Sequence, residues 1–270
     1  MYHLEEFLLT NYISTGYRFI DIMFLSNWGL MCLAFQLIPY AFVKTYVRPS
    51  KAPGARPWRG EQAKKLNQTF AFIFACVAAT CSSIIFISYE KNMPIYSGIC
   101  DTYMYSDNFI ILYAAFVTQR MLVHIFQIVM FEDISKLMGK LLLFHHMIIF
   151  IGGSFGLQFD TMAFYFTSYA MAEVSTVFLN FKDFYKNVLG INNKRLDTIN
   201  LVLFFVTFFI FRVLYMPYRH ISDILSYRMC GRGYIIPLFL NGLSFPISLL
   251  SYYWWFWEIC PLAMKKLKRT

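Results

Sequence analysis

The sequence has 270 residues, of which 58% are hydrophobic and only 14% charged. Soluble domains carry roughly a quarter charged residues, so a soluble fold of this size would lack the polar surface to cover itself. The net charge of +9 is not accompanied by a basic helix, zinc-ligand spacing or base-stacking motif, so no nucleic-acid partner is expected. The composition predicts an integral membrane protein.

Apolar runs of about 20 residues, the length that crosses a bilayer, predict seven helices. They lie at 17–43, 67–89, 108–131, 139–158, 160–181, 199–217 and 233–259. The link between the fourth and fifth runs is very short, so these two helices are expected to form an antiparallel hairpin. The predicted fold class is all-α, a polytopic membrane protein with about seven transmembrane helices.

Basic residues concentrate on one side of the seven-helix arrangement. The 44–65 loop holds seven basic residues and one acid, and the C-terminal KKLKR adds four more. Because positive residues favour the cytosolic side, the N-terminus is expected outside and the C-terminus on the cytosolic side. Cys100 and Cys230 then fall in outer loops, where they could pair in an oxidising compartment or stay free thiols.

Polar residues inside the apolar runs are costly in lipid and therefore mark a polar interior. The third run carries Arg120, His124 and Gln127 at spacings of four and three, which places them on one helical face. The fifth run carries a similar stripe and the sixth an arginine: Tyr169, Glu173, Thr176, Asn180 and Arg212. These helices are expected to face one another around a polar pocket, with acyl chains outside.

Glu173 and Arg212 allow two interpretations. A buried charge needs a partner, so an interhelical ion pair that holds the helices in register is favoured over a catalytic role. The polar stripe on the third run also allows two interpretations. A packed polar seam is favoured there, and a substrate contact is the alternative.

His145 and His146 are adjacent in the fourth run. Neighbouring helical residues point about 100° apart, so the two can line one pocket wall but cannot bind one small atom. Imidazole can take and return a proton near neutral pH or act as a nucleophile. A hydrogen-bonded core role is the alternative. No metal site is predicted, because His124 could complete a ligand set only through the tertiary fold.

Three segments together resemble the TLC domain family, which includes the ceramide synthases. They are LLLFHHMIIF with the histidine pair, AEVSTVFLNFK from Ala172 to Lys182, and NLVLFFVTFFIFRVLYMPY with Arg212. The resemblance covers roughly 67–260 and is closest to the TLC domain-containing branch outside the ceramide synthases. It implies a six-helix core at 67–260 that encloses a lipid-chain cavity, an added N-terminal helix and basic loop at 1–66, and a basic tail at 261–270.

In ceramide synthases the histidine pair supports acyl transfer from acyl-CoA to a sphingoid amine. On that model His145 and His146 would act as general base or nucleophile, with acyl-CoA as substrate and no cofactor required. Family enzymes carry an acid on the preceding helix, whereas this sequence has Gln119 and Arg120 there. A base without its orienting carboxylate loses rate, and Glu173 could substitute for it.

Three functions are consistent with these patterns. The first is binding or transfer of acyl lipids. The second is a non-catalytic accessory subunit of a membrane complex, or a lipid-organising protein, with a degenerate site. The third is a seven-helix transporter or receptor, disfavoured because no repeat symmetry or broken-helix pair is present.

The expected partners and location follow from the same resemblance. Membrane lipids are the expected partners, together with other membrane subunits if the protein is an accessory subunit. The endoplasmic reticulum is favoured as the location, and an organellar inner membrane is the alternative. The phenylalanines of the sixth run suit either lipid or partner helices: Phe204, Phe205, Phe208, Phe209 and Phe211.

Overall fold

A computed structural model describes residues 2–10, 14–46, 61–85, 87, 108–131, 137–159, 170–227 and 235–267. Helices make up most of this part of the chain. Two compact units are present, the first formed by Met1–Ala63 with Ser97–Thr167 and the second by Lys64–Tyr96 with Ser168–Thr270. The main helices are α1 (Tyr2–Leu9), α2 (Asn27–Tyr46), α3 (Glu61–Ile85), α4 (Asn108–Phe131), α5 (Leu137–Phe159), α6 (Glu173–Asp183), α7 (Lys194–Phe208), α8 (Met216–Tyr227), α9 (Ile235–Trp254) and α10 (Cys260–Leu267).

The helix predicted at 17–43 is wrong at its beginning. A single helical turn at Arg18–Ile20 passes into a π-helical turn at Asp21–Leu25. The chain is then extended at Ser26, and the regular helix α2 begins at Asn27. The side chain of Ser26 donates to the Ile22 carbonyl at 2.6 Å. Such local side-chain bonds compete with helical hydrogen bonding, and hydropathy does not register them.

Helices α4 and α5 form a closely packed antiparallel pair in the first unit. A Cβ atom added to Gly153 of α5 would lie 2.1 Å from the Thr118 hydroxyl oxygen of α4. Helix α2 also contacts α4. The indole nitrogen of Trp28 in α2 donates to the Leu112 carbonyl of α4 at 2.7 Å. Glycine at 153 therefore lets the two backbones approach, which sets how the side chains of α4 and α5 meet.

The second unit contains a tight connection between α6 and α7. A π-helical turn at Phe184–Val188 extends α6, and Gly190 then takes a positive φ of 69°. The side chain of Asn193 caps α7 by accepting from the backbone N–H groups of Arg195 and Leu196. This N-cap arrangement explains why the helix begins at Lys194, five residues before the predicted span.

Helices α7 and α8 are joined by a seven-residue π-helical turn at Phe209–Tyr215. Helices α9 and α10 are joined in the same way by Trp255–Ile259. The rings of Phe205 and Phe209 contact the indole of Trp255, with centroids 4.2 and 5.0 Å apart. Part of the predicted phenylalanine-rich surface thus packs against another helix of the same chain.

Four helices in the described part of the chain are long and apolar enough to cross a membrane. They are Lys65–Ile85, Asn108–Val129, Gly139–Gln158 and Lys194–Ile221. Each overlaps one of the predicted spans, so an all-α fold with several membrane helices is confirmed. The count of seven stays a prediction, as does the hairpin predicted across 160–169, which lies outside the described residues.

Candidate functional site

Three histidines meet at the contact between α4 and α5 in the first unit. The rings of His124 and His146 lie edge to face, with centroids 4.4 Å apart and an interplanar angle of 86°. The ring of His145 lies 5.2 Å from that of His146, also edge to face. His145 and His146 are buried, and His124 is half-buried. The fold therefore adds His124 to the predicted histidine pair.

His146 is oriented by the backbone of its own helix. Its Nδ1 atom lies 2.7 Å from the Leu142 carbonyl oxygen. A carbonyl oxygen can only accept, so Nδ1 must donate this bond and carries the proton of the neutral ring. The Nε2 atom of neutral His146 is then unprotonated and can accept a proton.

The predicted polar stripe on α4 lies mainly inside the first unit. Arg120 and Gln127 are both buried, at 4% and 5% exposure. The carbonyl oxygen of the Gln127 side chain has no hydrogen-bond partner among the described residues. A buried amide oxygen without a partner is costly, so this atom can receive a donor from a bound molecule.

Gln119 is a buried polar residue whose bonds sequence analysis did not predict. Its amide nitrogen donates to the carbonyls of Met23 and Gly29 at 2.7 and 2.9 Å. Its side-chain oxygen accepts a 2.8 Å bond from the amide nitrogen of Gln36. Gln119 therefore fastens α4 to the irregular start of α2, and two glutamines in apolar helices were the signal that could have revealed this.

The second unit contains the predicted ion pair. The Nη2 atom of Arg212 lies 3.8 Å from the Glu173 carboxylate. The guanidinium also donates to the hydroxyls of Ser175 and Thr176, each at 3.0 Å. It lies over the ring of Phe208, 5.4 Å from the centroid. The interhelical ion pair is confirmed, and two hydroxyls bind the same guanidinium.

The other predicted residues of α6 are placed differently. Asn180 donates to the backbone carbonyl of Ala71 in α3 at 3.4 Å, a contact separate from the arginine. Tyr169 lies outside the described residues. The structure thus groups Arg120, His124, Gln127, His145 and His146 in the first unit and Glu173, Thr176, Asn180 and Arg212 in the second.

Two further polar clusters were missed by sequence analysis. His220 contacts the Ser248 hydroxyl at 2.7 Å, joining α8 to α9. Asp197 accepts a bond from the Tyr185 hydroxyl and a 2.6 Å ion pair from Lys186. His220 lies beyond the predicted end of its span at 217, and Asp197 lies before the predicted start at 199, so both escaped the search for polar residues inside apolar runs.

The described part of the chain contains no group of three or more His, Cys, Asp or Glu side chains arranged to hold a metal ion. Its four cysteines are free thiols: Cys32, Cys76, Cys81 and Cys260. Cys100 and Cys230 lie outside the described residues, so their pairing stays a prediction.

The family model of the TLC domain matches residues 64–260. The chain belongs to the TLC domain family. The matched range contains both the histidine cluster and the Arg212 network, and it leaves out α1 and α2. Neither curated protein sequences nor solved structures yield a match. With its candidate membrane helices, this TLC domain chain is an integral membrane protein whose family indicates a function related to membrane lipids.

Proposed function

We propose that this TLC domain protein binds acyl lipids in the bilayer and transfers an acyl group, with His146 as the proton acceptor. The observation that supports this role is the 2.7 Å bond from His146 Nδ1 to the Leu142 carbonyl. That bond orients the ring without a carboxylate. Acyl-CoA is the proposed donor, and a long-chain amine or alcohol in the membrane is the proposed acceptor.

The proposed step balances as follows. The acceptor nitrogen or oxygen attacks the thioester carbonyl, and His146 Nε2 removes the proton from the attacking atom. The carbon–sulfur bond breaks, and the thiolate of coenzyme A takes the proton back from His146. The products are an acyl amide or ester and free coenzyme A, and the enzyme returns to its starting state.

Neighbouring groups of the first unit have supporting roles in this proposal. Arg120 lies one turn before His124 on the same helical face, where its positive charge would favour the oxyanion that forms on the thioester carbonyl. The side-chain oxygen of Gln127, which has no hydrogen-bond partner among the described residues, would accept a bond from the acceptor lipid. His124, edge to face with His146, would hold the ring in place.

The residues of the second unit are assigned a structural role. Glu173 pairs with Arg212, so its negative charge is already compensated within that unit. Thr176 is bonded to the same guanidinium. We therefore assign Glu173, Thr176 and Arg212 to the stability of the lipid-binding fold, and we do not assign Glu173 as the missing carboxylate partner of the histidine pair.

Acyl transfer by purified protein in nanodiscs tests the proposal. The assay supplies labelled acyl-CoA with a long-chain amine or alcohol and measures labelled amide or ester. His146→Ala is expected to lower the rate by about 10²- to 10⁴-fold, the usual contribution of a general base. His145→Ala and His124→Ala are expected to have smaller effects, because the proposal assigns the proton transfer to His146 alone.

His146→Asn is the matched control. The asparagine amide nitrogen can replace Nδ1 as the donor to the Leu142 carbonyl, but the side chain cannot accept a proton as imidazole does. The variant is expected to fold like the wild type and to lose activity like His146→Ala. Full activity in His146→Asn would contradict the assignment of the base.

The second candidate function is a non-catalytic accessory or lipid-organising subunit. The three hydrogen bonds of Gln119 favour it, because they give a structural role to a residue in the stretch where family enzymes carry an acid. In that case no acyl product forms, yet lipid or partner subunits co-purify with the protein. Unchanged lipid content in His146→Ala together with no turnover in the wild type would support this candidate.

We also propose residence in the endoplasmic reticulum, with the N-terminus outside and the C-terminus on the cytosolic side. The basic segment 44–65 and the basic C-terminal tail support this orientation. A C-terminal tag should be cleaved by protease added to intact microsomes, and an N-terminal tag should be protected. The opposite pattern would reverse the topology without affecting the proposed chemistry.

A further inference from the structure

The first unit contains a cavity of about 420 Å³ that lies outside the histidine cluster. It is lined by apolar side chains, by two uncharged polar side chains and by two opposite charges, Arg18 and Asp21. Asp21 is 8% exposed, whereas Arg18 is exposed. The cavity thus has a buried negative group and an accessible positive group within one turn of each other.

The carboxylate of Asp21 is held in a fixed orientation by the preceding segment. It accepts bonds from the Ser14 hydroxyl at 3.0 Å, the Thr15 backbone N–H at 2.9 Å and the Thr15 hydroxyl at 2.8 Å. Hydrogen bonds of this kind favour the ionised form of a carboxylate. A carboxylate has about four acceptor positions, so these three bonds from described residues leave one position for a further donor.

The cavity lies at one end of the α4–α5 pair. Asn108, the first residue of α4, lines it, and the backbone N–H of Phe19 donates at 3.3 Å to the side chain of Gln158 near the end of α5. Both helices contain candidate membrane spans, so their shared end is expected near the membrane–water boundary. The lining residues from Leu9 to Ile22 precede the matched residues 64–260, whereas Asn108 and Ile111 lie within them.

We propose that this cavity binds the zwitterionic phosphate–amine headgroup of a phospholipid. The ammonium group donates to Asp21, and the guanidinium of Arg18 donates a charge-assisted hydrogen bond to the phosphate. The apolar side chains of Leu9, Ile22 and Ile111 contact the start of the acyl chains. An anionic lipid without an amine brings no positive charge to Asp21, and it binds more weakly.

Native mass spectrometry of the full-length protein tests the proposal by competition between lipids. Phosphatidylethanolamine and phosphatidylglycerol with identical chains are supplied together, and the ratio of bound species is measured. We expect the ethanolamine lipid to predominate. Arg18→Gln is expected to weaken its binding about fivefold, the upper range for one exposed ion pair. Equal binding of the two lipids to the wild type would overturn the proposal.

Matched variants distinguish the loss of a charge in the cavity from a loss of local structure. Arg195→Gln makes the same change at an exposed arginine of the second unit and should leave lipid binding unchanged. Asp21→Asn should abolish the preference for the ethanolamine lipid. Thr15→Ala removes one hydrogen bond to Asp21 but keeps its charge, so the preference should persist. Equal losses in Asp21→Asn and Thr15→Ala would show that only local structure matters, which would overturn the proposal.

Soluble phosphoethanolamine distinguishes a membrane lipid from a free metabolite as the ligand, because both carry the same phosphate–amine group. If it displaces the ethanolamine lipid in an Arg18-dependent way, the headgroup alone is recognised and a free metabolite can occupy the cavity. If it fails to do so while the lipid binds selectively, the ligand is the membrane lipid. Failure of acyl transfer in the nanodisc assay would leave both results unaffected, because neither measurement depends on the histidine cluster.

Discussion

The two units of this protein bury polar side chains in different ways. The second unit buries a permanent charge, and it surrounds Arg212 with a carboxylate, two hydroxyls and an aromatic face. The first unit also buries Arg120, but it gathers three imidazoles in addition, which can be neutral and therefore cost less in an apolar medium. A group that is always charged must be compensated within the fold, whereas a group that can lose its charge remains suited to proton transfer.

The largest expected effect comes from breaking the charge compensation in the second unit. Arg212→Met removes the guanidinium and leaves the half-buried Glu173 without its ion-pair partner. The free energy of unfolding is expected to fall by about 3–5 kcal/mol, the usual cost of breaking a buried pair from one side. Denaturant unfolding in mixed micelles measures this loss.

The double variant Arg212→Met with Glu173→Gln is the control. It removes both charges, so much of the lost stability should return. His124→Leu provides the comparison with the first unit, where a neutral ring is replaced and the cost should be clearly smaller. A loss for His124→Leu as large as that for Arg212→Met would remove the contrast between the two units.

A smaller effect is expected where α4 and α5 approach most closely. Gly153→Ala places a methyl group against the Thr118 side chain, so we expect a loss of about 1–3 kcal/mol from overpacking. It should also lower acyl transfer, since α5 carries His145 and His146. Gly152→Ala is the adjacent control, because a Cβ there meets nothing within 4 Å.

Thermal unfolding and the nanodisc assay on both glycine variants decide this point. Gly152→Ala should match the wild type or be up to about 1 kcal/mol more stable, since alanine favours helix more than glycine. Equal behaviour of the two variants would mean that the close approach at Gly153 does not position the histidines.

The smallest expected effect lies in the α6–α7 connection. Burial raises the pKa of the Tyr185 hydroxyl above its ordinary value, and its bond to Asp197 adds to the shift. The folded state therefore holds this proton more tightly than the unfolded state. The resulting stability is complete below about pH 10, the ordinary tyrosine value, and is lost as the pH rises from there towards the folded pKa.

Unfolding temperatures measured between neutral and strongly alkaline pH test this linkage. Tyr185→Phe is expected to lower stability by about 0.5–1.5 kcal/mol at neutral pH, the net value of a hydrogen bond, and to reduce the alkaline decline. Tyr218→Phe, at a residue 64% exposed, should leave the decline unchanged. An identical alkaline decline in the wild type and Tyr185→Phe would contradict the assignment.

Much of the helical fold could be predicted from the sequence because a bilayer imposes a minimum apolar length. The runs at 108–131 and 139–158 fall within a few residues of α4 and α5 for this reason. Helix ends were less predictable where hydrogen bonds decide them, as at Ser26 and the Asn193 cap. Runs of apolar residues look the same in regular and π-helical turns, so hydropathy could not reveal the four π-helical segments of the described chain.

The candidate site was predictable only where one physical rule leaves few solutions. A buried arginine requires an acid, and Glu173 on a polar helical stripe was the evident partner of Arg212. The contact between His124 and His146 depends on how α4 and α5 rotate against each other, which the close approach at Gly153 determines. From the sequence, Gln119 could be interpreted only as the residue that stands where family enzymes carry an acid. Its hydrogen bond to Gln36 could not be predicted, because the two residues are 83 positions apart in the sequence.

The number of residues in the π-helical turn at Phe209–Tyr215 sets the rotation of α8 relative to α7. Each helical residue adds about 100° of rotation, so deleting one residue there would turn α8 by that angle relative to α7. His220 would then point away from Ser248, while Phe205 would still face Trp255. The π-helical turn therefore fixes the rotation between the two halves of the helix. These halves can pack on different neighbours only while the number of residues between them is unchanged.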